Sequence, residues 1–445
     1  MADLLEWAER FVATPSESRL GNGAIADCAA ELLRALELPA ALETVEVAGT
    51  RHHLVMCDLP AYHGPGLLLV THLDTVPPGD PAAWTATGGD PFRPTRVDDQ
   101  LYGLGSADAK VDFVCKAFAL AEVADELERP VLLVGTFGEE VGMLGARWLV
   151  ECGITQDFSQ AIVGEPSELA IVHAHKGYAV YEARVRLEPL PESEPLRATT
   201  RIVQGLAAHS SAPELGRNAI VEALAALEWS GAPGVTALAG GTAVNVVPDR
   251  CEIALARGGA EGADIDGPAW SAKPLVRFLG AWRELQASLE ARRDPRFSPA
   301  QSVASLGRVS LDDGCAVFGF DVRPIPGEEA SWLVGPLGRV AELRAVRTNP
   351  PLAAPADGVL VRALAAAQRE VGLPEKVETK ATCTEAGVLG AAGLEAVVLG
   401  PGRSVGNVHK PNEHTRVSQL HQAVALYRAA LLRLAGPAKA NAEGA

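Results

Sequence analysis

Residues 66–77 read GLLLVTHLDTVP: a short apolar run that ends abruptly in Thr71, followed by His72 and Asp74. The run is too short and too uniformly apolar for an amphipathic surface helix, and it suits a strand buried on both faces. Similar runs recur at 131–136, 161–163 and 396–399, each closed by polar or Gly residues. Helical spacing lies between and before them, at 4–12, 24–36 and 111–127. Strands alternating with helices predict an α/β fold with a mostly parallel, doubly wound sheet. In such sheets ligands gather beyond the carboxyl ends of the strands.

From about Tyr178 the texture changes. Residues 178–187, 243–255 and 315–322 read as strands and 217–227 as a helix, an α+β insertion forming a second, smaller domain. The predicted division is 1–177, 178–347 and 348–445, the first and last parts forming one domain. Within the middle part, 258–300 is rich in Gly, Asp and Arg around one helix expected over 274–291, and reads as an extra insertion without an assigned role. The last ten residues, 436–445, read as a frayed tail.

The whole chain has 445 residues, 48% hydrophobic and 21% charged, which fits globular domains and excludes a wholly disordered chain. Its 39 basic residues face 56 acidic ones, a net charge of −17 that argues against nucleic acid and anionic membrane surfaces as partners. Seven scattered cysteines without a C-x-x-C pair argue for a reducing compartment and against a zinc knuckle. No basic leader precedes an apolar core at the start, and no apolar run reaches the roughly 18 residues of a membrane span. These features predict a cytoplasmic protein.

Two glycine patterns, at 21–26 and 103–108, resemble dinucleotide fingerprints but lack a strand before and a helix after. Phosphate-loop and Gly-x-Ser-x-Gly patterns are absent. What stands out instead is a set of acids and histidines at strand ends. His72 and Asp74 follow LLLVT, Asp108 closes YGLGSAD, and Glu139 and Glu140 follow VLLVGTFG. Glu165 follows AIVG and His409 lies beyond AVVLGPG. Charge at the buried end of a core strand is costly unless paired or bound to metal. Taken singly, each has an ordinary explanation, such as a capping Asp108 or an exposed Glu-Glu pair. Together they form a nitrogen-and-oxygen donor set suited to zinc-like ions.

The motifs HLDTVP (72–77), GLGSADAK (103–110), GEE (138–140), GEP (164–166), AHSSAP (208–213), DVRPIPG (321–327), CTEA (383–386) and LGPG…HKPNE (399–413) occur in one order along the chain. As a set they resemble the metal-dependent N-acyl amino acid deacylases, which include acetylornithine deacetylases, succinyl-diaminopimelate desuccinylases and related carboxypeptidases. AHKGY, DVRPIPGE, CTEA and LGPG resemble the acetylornithine and acetylcitrulline branch most.

The resemblance implies two divalent ions, zinc first and cobalt as the alternative, bridged by Asp108. His72 and Glu165 would complete one site, Glu140 and His409 the other. Asp74 would hydrogen-bond the second nitrogen of His72, and Glu139 would move the proton. His209 would stabilise the oxyanion, reaching it from the partner subunit of a homodimer, and Arg323 and Asn245 would hold the substrate. The implied substrate is a small N-acyl amino acid, acetylornithine-like in an arginine-biosynthetic context. The alternatives are acetylcitrulline, succinyl-diaminopimelate and a small peptide. A catalytically dead binding relative is disfavoured because every ligand position and Glu139 are filled.

Arg323 also reads as a lid-strand Arg paired with an acid, and His209 as a residue beside capping serines. His173 and His175 form an H-x-H beside Lys176, read as structural or as part of the substrate rim rather than as a third metal site. The NVVP stretch at 245–248 lies far in sequence from DVR at 321–323, which leaves open whether Asn245 and Arg323 share a pocket.

Overall fold

The computed structural model describes residues 2–61, 64–190, 196–258, 262–265 and 267–437. The chain divides into two compact units, one of Met1–His175, Leu352–Thr379 and Thr384–Ala445, the other of Lys176–Pro351 and Lys380–Cys383. Most of the expected tail, 438–445, lies outside the described residues, as do 259–261 and 266 of the stretch left unassigned.

In the first unit the sheet is built around Gly66–His72, every residue of which is buried. Val131–Thr136 and Phe158–Gly164 flank it in parallel, and Glu395–Val398 continues the parallel core beside Phe158–Gly164. Both flanks turn antiparallel. The hairpin Ala41–Val47 and Thr50–Leu59 adds to one side, and Ile171–His175 with Leu352–Ala353 to the other.

Alternation along the central strand explains its apolar sequence. Leu67 and Leu69 face a layer formed by Leu4–Ala13, Gly23–Ala35, Lys110–Val123 and Val417–Leu434. Leu68 and Val70 face the opposite layer, with Leu149 of Leu144–Glu151 and Leu389 of Glu385–Ala391. A strand covered on both faces has no polar side to alternate with. The sheet is therefore doubly wound, and its parallel register aligns His72 with Thr136 and Thr71 with Gly164. That alignment delivers the segments following three strands to one edge.

In the second unit an antiparallel sheet runs from Ala263–Asp264 through Leu196–Gln204, Arg250–Gly258, Gly234–Gly240, Val303–Asp312, Cys315–Arg323 and Tyr178–Arg186 to Glu342–Asn349. The helices Ala219–Ser230 and Lys273–Leu289 share its apolar core. Phe278 stacks on Phe318 at 4.1 Å between ring centroids, and Trp282 meets Phe320 edge-on at 5.7 Å. The helix within the stretch read as an extra insertion is therefore part of this unit's core. Its partners lie some forty residues further along the chain, beyond the reach of local periodicity. Among the described residues, no helix is long and apolar enough to cross a membrane, and all seven cysteines are free.

Candidate metal centre

The strand ends of the first unit bring His72, Asp74, Asp108, Glu139, Glu140, Glu165 and His409 together. His72 Nε2 lies 3.1 Å from Asp108 Oδ1 and 3.8 Å from Glu165 Oε1. His409 Nε2 lies 3.1 Å from Asp108 Oδ2 and 2.9 Å from Glu140 Oε1. Two donor groups result: His72, Glu139 and Glu165, and Asp108, Glu140 and His409, each with donor atoms within 4.8 Å of one another. Glu139, expected to stay off the metal, is thus itself one of the three donors of the His72 group. The His72 side is buried and His409 is exposed, so the cluster opens on one side.

His72 Nδ1 lies 3.0 Å from the Asp74 main-chain oxygen and 3.6 Å from its carboxylate. The carbonyl therefore sets the ring's tautomer, as ligating histidines require. The carboxylate of Asp74 also accepts from the backbone N–H groups of Glu139 (3.2 Å) and Glu140 (3.4 Å) and from the Ser18 hydroxyl (2.5 Å). Asp74 thus pins the Glu139–Glu140 turn beneath His72. Ser18, 56 residues away in sequence, gave no local signal.

One residue behind the site lies a buried network. Asp112 pairs with Lys116 at 2.8 Å and accepts hydrogen bonds from Thr71 (2.6 Å) and Tyr427 (2.5 Å). The Lys116 ammonium also donates to the carbonyl of Val70 at 2.8 Å. Thr71 precedes His72, and Gly164 precedes Glu165. A Cβ on Gly164 would come within 1.8 Å of Asp112 Oδ2, so only glycine lets the network close against that strand. Glu385 of the CTEA motif is also buried, accepting from Thr136 at 2.9 Å while its Oε1 has no hydrogen-bond partner.

The electrostatics suit cations. Burial opposes charge on His72, yet its hydrogen bonds to Asp108 and Asp74 hold its pKa well above the ordinary value. Burial likewise opposes charge on His409, and Asp108 and Glu140 push it up to about 11. Burial, then the charges of Glu140 and Glu165, raise Glu139 well above the carboxylate range. Acids outnumber the two imidazoles, so the cluster favours positive charge at both ring nitrogens.

Donors 2.0–2.1 Å from a tetrahedral zinc stand about 3.3 Å from one another. The separations of 2.9–3.8 Å around Asp108 bracket that value. Imidazole nitrogen with carboxylate oxygen is also the donor chemistry zinc and cobalt accept. The residues present fit a pair of divalent ions.

The remaining expected residues lie in the second unit. His209, on Ala208–His209, is exposed, and its Nδ1 lies 2.7 Å from Ser211 Oγ. Asn245 and Arg323 converge despite their separation. The Ser210 N–H donates to the Asn245 carbonyl at 3.0 Å, and Arg323 donates to Ser210 Oγ at 3.2 Å. The Ser210 hydroxyl donates in turn to Asp321. Arg323 also stacks over Tyr178 at 4.6 Å. The sequence suggests Ser210 only as a capping serine and gives no separate signal for Asp321 or Tyr178, though Asp321 stands in the DVR motif. His173 and His175 are buried and bonded to Ala354 and Thr384, and neither joins a donor group among the described residues.

A doubly wound sheet that gathers imidazoles and carboxylates beyond its parallel strand ends is a framework for metal-dependent hydrolysis. The profile of peptidase family M20/M25/M40 matches residues 68–433, and the chain belongs to that family, as a metal-dependent amidohydrolase. It is 30% identical over 372 residues to an acetylornithine deacetylase of Myxococcus xanthus, covering 83% of this chain and 80% of that protein. The fold is similar to that of an aminoacylhistidine dipeptidase from Vibrio alginolyticus, with TM-score 0.70 and 15% identity over 98% of this chain and 97% of that one. It is also similar to Sso-CP2, an M20 family metallo-carboxypeptidase from Sulfolobus solfataricus, with TM-score 0.63 and 18% identity over 97% and 99% of the two chains.

Proposed function

We propose that this chain is a dinuclear hydrolase that removes a short acyl group from the Nα of an amino acid, with acetylornithine-like substrates first. The observation that carries the reading is Asp108, whose two oxygens each approach a different histidine at 3.1 Å. The identity to an acetylornithine deacetylase supports the substrate class. His72, Asp108 and Glu165 would hold one ion and Asp108, Glu140 and His409 the other, zinc first and cobalt as the alternative. When bound, such ions polarise an amide carbonyl and acidify water.

Glu139, within the His72 group, takes a proton from the attacking water on its carboxylate and returns it to the leaving amine nitrogen. An amine leaves poorly unless protonated, so one carboxyl serves as base and then as acid. Asp74 keeps the Glu139 turn and the His72 ring in place. His209 donates to the oxyanion, and Arg323, with Asn245 nearby, grips the substrate carboxylate. In this reading residues 178–347 form a lid and dimerisation domain, and 1–177 with 348–445 the catalytic domain. The enzyme works as a cytoplasmic homodimer in arginine biosynthesis.

The test is a panel of acetylornithine, acetylcitrulline, succinyl-diaminopimelate and small peptides, assayed with added zinc or cobalt. Acetylornithine should give the highest kcat/KM. Preference for a peptide would overturn the substrate assignment.

A further inference from the structure

We propose that Glu413, the last residue of HKPNE, is a positioning residue that presets the Asp108 loop for both ions. The proposal rests on the reading of Asp108 as the shared ligand. Glu413 is wholly buried. Its Oε1 accepts three backbone N–H groups from one loop: Gly105 at 3.0 Å, Ala107 at 2.9 Å and Asp108 at 3.1 Å. Its own carbonyl accepts from Gly103 at 2.9 Å. One residue thus takes four donors from the six-residue segment that ends in Asp108.

Converging N–H groups of this kind form an anion-binding concavity. Here the acceptor is supplied from within the chain, by the Glu413 carboxyl oxygen on the segment that carries His409. Gly105 lies at φ +82°, and a Cβ there would come within 2.2 Å of the Lys110 side chain, so the loop is moulded over Lys110 on one side and around Glu413 on the other.

The His409 segment is itself braced. His409 has φ +59°, a left-handed conformation that costs a non-glycine residue energy and persists only when its surroundings hold it. The Asn407 side chain donates to the carbonyls of Arg403 and His414 and accepts from the His414 N–H, closing the segment on itself. Asn412 Oδ1 accepts from the Ala86 N–H at 2.8 Å. A rigid His409 segment that also clamps the Asp108 loop fixes the spacing between His409 and Asp108. Because Asp108 faces both histidines, loosening its loop acts on both ions.

Amide exchange of residues 103–108 is measured first, before any cation is added, and zinc binding is then titrated by calorimetry. In Glu413→Ala these amides should exchange about tenfold faster or more, and both zinc ions should bind roughly 10–100-fold more weakly. Glu413→Gln keeps a carbonyl oxygen in place of Oε1 and should retain wild-type protection and affinity. A loss of folding stability alone would speed the core amides of Gly66–His72 together with those of 103–108, whereas the proposal predicts faster exchange confined to 103–108. Should Glu413→Ala fail to fold, Glu413→Asp, which retracts the oxygen by one methylene, is judged by the same two measurements. Wild-type exchange and affinity in the Ala or Asp variant would overturn the proposal, as would weakening of one ion alone, or a Gln variant as impaired as Ala. Wild-type protein that takes up no zinc would instead defeat the metal reading, with exchange still deciding the part played by Glu413.

Discussion

The two carboxylate oxygens of Asp108 point at different imidazoles, Oδ1 at His72 and Oδ2 at His409, each 3.1 Å from an Nε2. Their loop and strand-end segments come from widely separated parts of the chain. The aspartate therefore couples the two halves of the cluster, and what disturbs it disturbs both.

Glu139→Gln removes the proton carrier while keeping its shape. Turnover should fall by ~10²-fold or more, since general acid–base groups contribute about that factor. Metal content, measured by elemental analysis, should stay at the wild-type level. Turnover equal to wild type would exclude Glu139 from proton transfer.

Partial desolvation of the His209 ring, then the Arg323 charge, holds its pKa below the ordinary value and keeps a neutral ring able to donate one N–H. His209→Ala should lower kcat by ~10²-fold, the scale of one lost oxyanion donor. Metal content should be unchanged. A fully active variant would return His209 to a surface role.

Asp321 gives a pH signature. Burial lifts its pKa to about 6, against the opposing pull of Arg323 and of its hydrogen bond with Ser210. Between the unfolded value near 3.8 and about 6, the folded state binds the proton and the unfolded state does not. Its contribution to stability is complete below that window and is lost as pH rises through it. The stability of the wild type relative to Asp321→Asn should fall by on the order of 2 kcal/mol from pH 4 to pH 7, measured by urea unfolding. Parallel stability curves would contradict this.

Tyr427→Phe leaves Asp112 Oδ1 without the Tyr427 donor in a fully buried setting. Losing a hydrogen bond to a buried charged group should cost about 1–3 kcal/mol in unfolding free energy. An unchanged midpoint and slope in urea would show that the network behind His72 and Glu165 tolerates the gap.

The strands that carry the site were legible in the sequence for a specific reason. Gly66–His72 and Val131–Thr136 are covered on both faces, so burial imprints an unbroken apolar run that ends where the acids and histidines begin. The hairpin strand Ala41–Val47 left no such mark, because it is an edge strand with largely exposed side chains. Contacts that span the chain were illegible. Ser18 meets Asp74, Tyr427 meets Asp112, and Asn245 and Arg323 meet through Ser210, none of them prefigured by local spacing. Sequence set Asp74 against the second nitrogen of His72 without distinguishing its oxygens; the nearer one is the main-chain carbonyl, at 3.0 Å. That distinction depends on backbone direction after the strand, which residue identity does not encode.

The central claim is that one aspartate is shared by two cations, and counting metal in Asp108→Ala tests it most directly. Wild-type protein dialysed against zinc should retain two equivalents and the folded Asp108→Ala variant none. A variant that keeps one equivalent at full affinity would contradict the shared role of Asp108.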